Sequence, residues 1–248
     1  MYNIGIALGG GGARGFAHLG VLQALEEKGI KPDIISGVSA GAIVGAFIAS
    51  GKTPIETMAI MKGFKLTNLA GLNFHPGGLL SLDKLCLTLE KNIKEKNIED
   101  LKTPLIIAAT NLQKGQVVYF HKGPLEKTIQ ASSSIPILFT PVELDGNLYV
   151  DGGLLDNIPV KPLEGKCDKI IAVNISPMHK EEEIVNIIDI ATRTFQININ
   201  SNIDYVRKIS NIYIEPIEIR NYALLDSSKA DKLFDIGYNY TKNMNLNL

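Results

Sequence analysis

The chain has little cysteine, no excess of either charge and no long apolar run, and each shortage removes a class of protein. Its two cysteines, Cys86 and Cys167, lie far apart. They form neither a CxxC pair nor a Cys/His ligand pattern, which excludes a disulfide scaffold and a structural zinc site. With 25 basic against 26 acidic side chains, well mixed along 248 residues, there is no Lys/Arg stripe of the kind that holds nucleic acid. No stretch approaches the roughly 20 apolar residues of a membrane-spanning helix, so any membrane contact is expected to be peripheral. The opening MYNIGIALGGGG has no basic leader segment, and glycines interrupt its apolar run after Leu8. A cleaved signal is therefore not expected, and the cytoplasm is the expected compartment. Repeats, low-complexity tracts and linkers are also missing. A length of 248 residues with 45% apolar and 21% charged side chains suits one globular domain spanning 1–248.

What is present alternates between strand and helix signals. Asn3 to Leu8 is nearly all apolar, as in a strand buried on both faces. Phe16, Leu19, Leu22 and Leu25 recur at helical spacing, and Lys28-Gly29 closes that helix. A short strand is expected within Pro32 to Gly37. A helix from Ala40 to Ser50 follows, and its small face of Gly41, Ala42, Gly45 and Ala46 allows close backbone approach. Thr53, Pro54 and Glu56 form a capping-box signature. Residues 63–82 are expected as an irregular loop. Further strands are expected at Leu105–Ala109, Val117–Phe120, Lys169–Ile175 and Asn211–Glu215. Helices are expected at Leu82–Ile93, Leu125–Ser133, Glu182–Ile197 and Lys229–Tyr240. This order argues an α/β fold, a three-layer sandwich with a largely parallel central sheet.

Three glycine-bearing motifs carry the chemistry. Gly9 to Gly15 lies between a strand and a helix and contains GxGxxG at Gly10, Gly12 and Gly15. Consecutive glycines and a helix N-terminus present free N–H groups, which suit either a pyrophosphate or a transition-state oxyanion. Gly37-Val38-Ser39-Ala40-Gly41 is a GxSxG between strand and helix, the setting of a nucleophile elbow, where Ala40 can add its N–H to an oxyanion site. A tight turn without catalytic purpose is the alternative. Asp151-Gly152-Gly153 follows an expected hairpin turned at Asp145-Gly146. By itself it reads as an aspartate in a turn.

Taken together, Gly10 to Gly15, Gly37 to Gly41 and Asp151 to Gly153 resemble, in order, the signatures of the patatin-like phospholipases. Ala17-His18-Leu19-Gly20 and Ala131 to Pro136 also look like family segments, and the likeness runs from about Ile4 to Val160. The resemblance implies a Ser-Asp dyad in which Asp151 takes the Ser39 proton during attack on an acyl ester. It implies an oxyanion hole from Gly10, Gly11, Gly12 and Ala40, with Gly15, Gly37, Gly41, Gly152 and Gly153 as supporting motif positions. Losing one such donor costs about 2.7–4 kcal/mol of barrier. An aspartate near pKa ~3.9 is a poor base for serine, so its proton affinity must be raised. Arg14 stands at the unfavourable positive end of a helix and needs a partner: an internal carboxylate, a phosphate head group or the loop it braces. The implied substrate is a lipid or other acyl ester. The apolar stretch from Ile55 to Leu72 reads either as ordinary core or as an acyl-chain wall or lid. No cofactor, metal or nucleic acid is expected.

Histidines do not fit a triad. His18 falls within the first helix, His75 precedes a Pro-Gly-Gly turn, and only His179 follows the acid, in an exposed Met-His-Lys-Glu run. Two other functions share some of the residues. An acyltransferase would use the same dyad with an alcohol in place of water. A dinucleotide-binding module would use GxGxxG, but Asp33, its ribose acid by spacing, begins the second strand rather than ending it.

Overall fold

The computed structural model describes residues 1–63, 82–178 and 184–246. Within them eight strands form one sheet: β1 (Tyr2–Leu8), β2 (Ile34–Gly37), β3 (Leu105–Asn111), β4 (Gln116–Phe120), β5 (Val142–Leu144), β6 (Asn147–Asp151), β7 (Cys167–Val173) and β8 (Ile212–Ile214). The parallel part runs β3-β2-β1-β7-β8, and β4, β6 and β5 extend it antiparallel from β3. Eight helices accompany the strands: α1 (Phe16–Glu27), α2 (Ala40–Ala49), α3 (Pro54–Lys62), α4 (Asp83–Asn92), α5 (Leu125–Ser132), α6 (Ile187–Ile199), α7 (Ile203–Ile209) and α8 (Ala230–Lys242). This is the expected mixed α/β architecture.

The apolar runs are explained by burial on both faces of the sheet. Along β1, Ile6 and Leu8 join the core beneath α1, α2, α5 and α8, whereas Ala7 joins the opposite layer. In β7, Ile171 and Val173 divide from Ile170 and Ala172 in the same way, following the two-residue period of a strand. The second face has a thinner cover, made by Ile158, Val160 and Leu163 with Val206 of α7.

Local chemistry sets several element ends. Thr53 Oγ1 accepts from the Glu56 N–H at 3.2 Å while Glu56 Oε2 accepts from the Thr53 N–H at 2.8 Å, completing the capping box of α3. The β5–β6 hairpin turns on Asp145 (φ 49°) and Gly146 (φ 72°), the left-handed pair of a type I′ turn. The sixth helix begins at Ile187 rather than at Glu182. Asn186 Oδ1 accepts from the Asp189 N–H and Asp189 Oδ2 accepts from the Asn186 N–H, both at 3.1 Å, and this reciprocal cap fixes the start. Strand β7 begins two residues earlier than expected and ends at Val173, while α7 is an element the sequence pattern did not suggest. Residues 64–81 of the loop expected at 63–82, and with them residues 64–72 of the Ile55–Leu72 stripe, lie outside the described residues. So do His75 and His179.

Sheet register brings two motifs together. At Ile107, β3 pairs with Gly37 of β2 on one edge and with Phe120 of β4 on the other. At Ala109 it pairs with Val118 of β4 and with Asp151 of β6. Because β4 occupies one edge throughout, β2 and β6 share the other. They run head-on, and their last residues stop two positions apart on β3. The chain leaving each strand must turn away from the sheet at the level of Ala108.

Candidate active site

Ser39 sits where β2 becomes α2, with φ 52° and ψ −123°. These angles are those of the first central position of a type II′ turn. The Gly41 N–H closes the turn on the Val38 carbonyl at 2.8 Å. Such a φ is costly for a residue with a side chain, and a residue held there is fixed by its surroundings. The Ser39 N–H is anchored by Ser132 Oγ at 2.9 Å, and Ser132 in turn donates to the Ala108 carbonyl at 2.6 Å. The glycines flanking the serine permit the approach of α2 to the sheet. A Cβ on Gly41 would lie 2.0 Å from the Leu8 carbonyl oxygen, and one on Gly37 would meet the backbone of Gly41.

Asp151 ends β6 and is 1% exposed. Its N–H donates to the Ser134 carbonyl at 2.8 Å, and its Oδ1 accepts from the Gly153 N–H at 2.8 Å. Oδ2 is buried with no hydrogen bond of normal geometry. Interaction with the Ser39 hydroxyl and the hydrogen bond from the Gly153 N–H both favour the charged form. Burial outweighs both and pushes the Asp151 carboxyl up to about 7. Removal from water disfavours the carboxylate, which is the tuning a base for serine requires. Gly152 packs against the Ala108 carbonyl and Val38, so the DGG and GxSxG segments touch.

The glycine loop can be accounted for group by group. Its Gly9 N–H donates to the Val173 carbonyl and its Gly9 carbonyl accepts from His18 Nε2 at 2.7 Å. The Gly10 N–H donates to the Asn157 carbonyl at 3.1 Å, and the Gly10 carbonyl accepts from Ser176 Oγ at 2.8 Å. Ala13 N–H donates to the Leu224 carbonyl and Arg14 N–H to the Gly11 carbonyl. The N–H groups of Gly11 and Gly12 remain, without a hydrogen-bond partner among the described residues. That of Ala40, at the start of α2, is free in the same sense. The expectation for Gly10 is thereby corrected, since its N–H is already spent on Asn157. Gly12 adopts φ 55°, and a Cβ there would stand 2.3 Å from the Leu224 carbonyl oxygen, so the loop needs glycine on both counts. Gly15 lies against Ala40, joining the loop to α2.

Arg14 is 2% exposed. Its Nε donates to the Tyr222 carbonyl at 2.8 Å and its Nη2 to that of Arg220 at 3.4 Å, so it braces the loop against the C-terminal segment. His18 is buried, and burial lowers its pKa to about 4 against the raising effect of the Gly9 carbonyl. It is a neutral donor to the loop. Asp33 accepts from the N–H groups of Asn3 and Ile4 at 3.0 and 2.8 Å. It thus stands at the far end of β1 from the glycine loop, where no ribose on that loop could reach it.

Between the loop and α2 opens a cleft of about 730 Å³, counted out to its mouth. Ser39, Gly12 and Ala40 lie on its wall, with Phe16, Ile43, Phe47, Met61, Leu82, Leu85, Ile135 and Leu225 around them. The apolar lining suits a small-molecule or acyl-chain site. Among the described residues no group of His, Cys, Asp and Glu is placed to hold a metal ion, and no helix is long and apolar enough to cross a membrane. Sequence reasoning assigned no role to Ser132, Ser133, Ser134 or Asn157. The three serines fall within the Ala131 to Pro136 run, whereas Asn157 has no sequence signal, because the Gly10 amide it accepts from is distant in sequence.

A family model described as patatin-like phospholipase matches residues 6–164. An uncharacterized NTE family protein of Mycobacterium tuberculosis (strain ATCC 25618 / H37Rv) is 37% identical over 176 residues, which are 70% of this chain and 49% of that protein. Lysophospholipase NTE1 of Candida glabrata is 27% identical over 272 residues, 96% of this chain and 16% of that protein. The chain therefore spans half the length, or less, of these curated relatives. Among solved structures, VipD from Legionella pneumophila shares the fold with a TM-score of 0.60 at 16% identity, over 97% of this chain and 66% of that one. With the family model matched across more than half of its 248 residues, the chain belongs to the patatin-like phospholipase family.

Proposed function

We propose that this chain is a serine hydrolase of lipid acyl esters that works through Ser39 and Asp151. The observation that carries the reading is a serine held in a strained strand-to-helix turn beside a fully buried carboxyl of raised proton affinity, on the wall of an apolar cleft. Ser39 Oγ attacks the acyl carbon as Asp151 takes its proton. The tetrahedral oxyanion is received by the N–H groups of Gly11 and Gly12, the two that the loop leaves uncommitted, with Ala40 adjacent. Asp151 returns the proton to the departing alcohol, and water then releases the fatty acid by the same steps. The cleft takes the acyl chain, and a lipid substrate implies that its mouth meets a membrane or micelle surface peripherally. The lysophospholipase relative, aligned over 96% of this chain, makes a lysophospholipid the first ester to try.

The test is labelling with a fluorophosphonate, followed by mass spectrometry of the modified peptide and turnover of a long-chain lysophospholipid. We expect one label per chain, on Ser39, and loss of both label and turnover in Ser39→Ala with the melting transition retained. A label on another residue, or an active Ser39→Ala, overturns the assignment.

A further inference from the structure

Three consecutive serines follow Ala131 around the end of α5, and the outer two are committed. Ser132 Oγ accepts from the Ser39 N–H and donates to the Ala108 carbonyl. Ser134 Oγ donates to the Gln130 carbonyl at 2.9 Å, and the Ser134 carbonyl accepts from the Asp151 N–H. One side of the tripeptide is thus tied to the nucleophile and the other to the acid. Ser133 lies between them and differs. It is 6% exposed, its Oγ is buried without a hydrogen-bond partner, and it lines the cleft with Ser39 and Ala40. Among the described residues the one other hydroxyl on that wall besides Ser39, that of Thr88, donates to the Lys84 carbonyl at 2.8 Å. A buried hydroxyl left unpaired costs stability, and its retention in an otherwise apolar cleft calls for an oxygen that arrives with the ligand.

An ester brings two oxygens. The Gly11 and Gly12 amides serve the carbonyl oxygen, which leaves the alcohol-side oxygen with no donor but the proton that Asp151 carries. We infer that the Ser133 hydroxyl donates a hydrogen bond to that alcohol-side oxygen; this rests on the hydrolase reading above. During acylation the Ser39 Oγ–carbon bond forms, the bond from carbon to the alcohol oxygen breaks, and Asp151 passes the serine proton to that oxygen. Negative charge grows on it until the proton arrives. Ser133 stabilises this charge and is itself unchanged at the end. In the second half-reaction the attacking water occupies the same place.

The test compares two esters of one fatty acid in Ser133→Ala: a monoacylglycerol, whose alkoxide leaves poorly, and a 4-nitrophenyl ester, whose phenolate leaves without help. We expect kcat/KM to fall roughly 10²-fold on the monoacylglycerol and to stay within about threefold on the nitrophenyl ester, the scale of losing one transition-state donor. The ratio is taken within one preparation, so a partly unfolded variant does not distort it. Equal losses on both esters, or none on either, overturn the assignment of Ser133. Failure of the wild-type protein to cleave either ester would instead sink the hydrolase reading itself.

Discussion

Replacing Asp151 by asparagine should stabilise the protein above pH 7 while removing its proposed base. The folded carboxyl titrates at about 7 against an ordinary 3.8, a preference for the neutral form worth roughly 4 kcal/mol. At pH 8 both folded and unfolded chains are ionised there, and the folded one carries the full cost of a buried charge. Asparagine removes that charge, but its amide oxygen must take the place of Oδ1 opposite the Gly153 N–H. The NH₂ group then falls where Oδ2 has no regular partner, at a cost of about 1–3 kcal/mol. The net gain at pH 8 is about 1–3 kcal/mol, several degrees in Tm for a chain of this size. Between 3.8 and 7 the folded state of the wild type binds more protons than the unfolded state, so this contribution to stability grows as pH falls and is lost as pH rises through 7. By pH 5 the wild type has recovered roughly 3 kcal/mol, and the advantage of asparagine should vanish or invert. His18, with its pKa lowered to about 4, acts in the opposite sense between 4 and 6.5, but it is common to both proteins and cancels in the difference. Urea unfolding of both proteins at pH 5, 6, 7 and 8 measures the effect. A stability difference that does not change with pH would refute the raised proton affinity, and with it the account of how an aspartate can serve as base.

Two further outcomes follow from the same geometry. Because Asp151 must be ionised to accept the serine proton, kcat/KM should fall about tenfold per pH unit below about 7 and level off above it; a profile flat from pH 5 to 9 on a long-chain ester contradicts this. Ser39 occupies a backbone region that glycine tolerates better, so Ser39→Gly should be about 1 kcal/mol more stable than Ser39→Ala, both being inactive. Parallel thermal melts decide the order, and equal Tm values would show that the turn stores no strain.

The parts of this molecule that were legible in sequence are those whose cause is local. GxSxG between strand and helix, Asp145-Gly146 between two strands and Thr53 to Glu56 before a helix each contain both partners of the interaction that fixes them. Features fixed by distant partners were not. The Gly10 amide was expected to be free, yet it donates to Asn157, nearly 150 positions away. The sequence around Arg14 does not single out its partners, because Tyr222 and Arg220 reach it only after the C-terminal segment folds across the loop. The same holds for Leu224, whose carbonyl receives the Ala13 amide and crowds Gly12. The C-terminal third, which resembled nothing by motif, thus completes the loop through backbone carbonyls, and carbonyls leave no signature in side-chain identity. The pKa of Asp151 belongs to this group as well, since it depends on complete burial by several elements.

On the proposed reading, that last dependence lets two residues do what a triad divides among three. In a Ser-His-Asp triad the aspartate stays charged and orients an imidazole that supplies the basicity. Here, in the reading proposed, orientation comes from bonds made by backbone amides: the Ser132 hydroxyl accepts from the Ser39 amide, the Ser134 carbonyl accepts from the Asp151 amide, and the Gly153 N–H fixes one carboxylate oxygen. Basicity comes from burial. An environment that pushes a carboxyl towards neutrality would disable the aspartate of a triad, yet in a dyad it supplies the proton affinity that the missing histidine would have brought. The head-on meeting of β2 and β6 along one edge of β3 makes this possible, because it sets the acid inside the sheet layer, out of reach of water, directly opposite the turn that presents the serine.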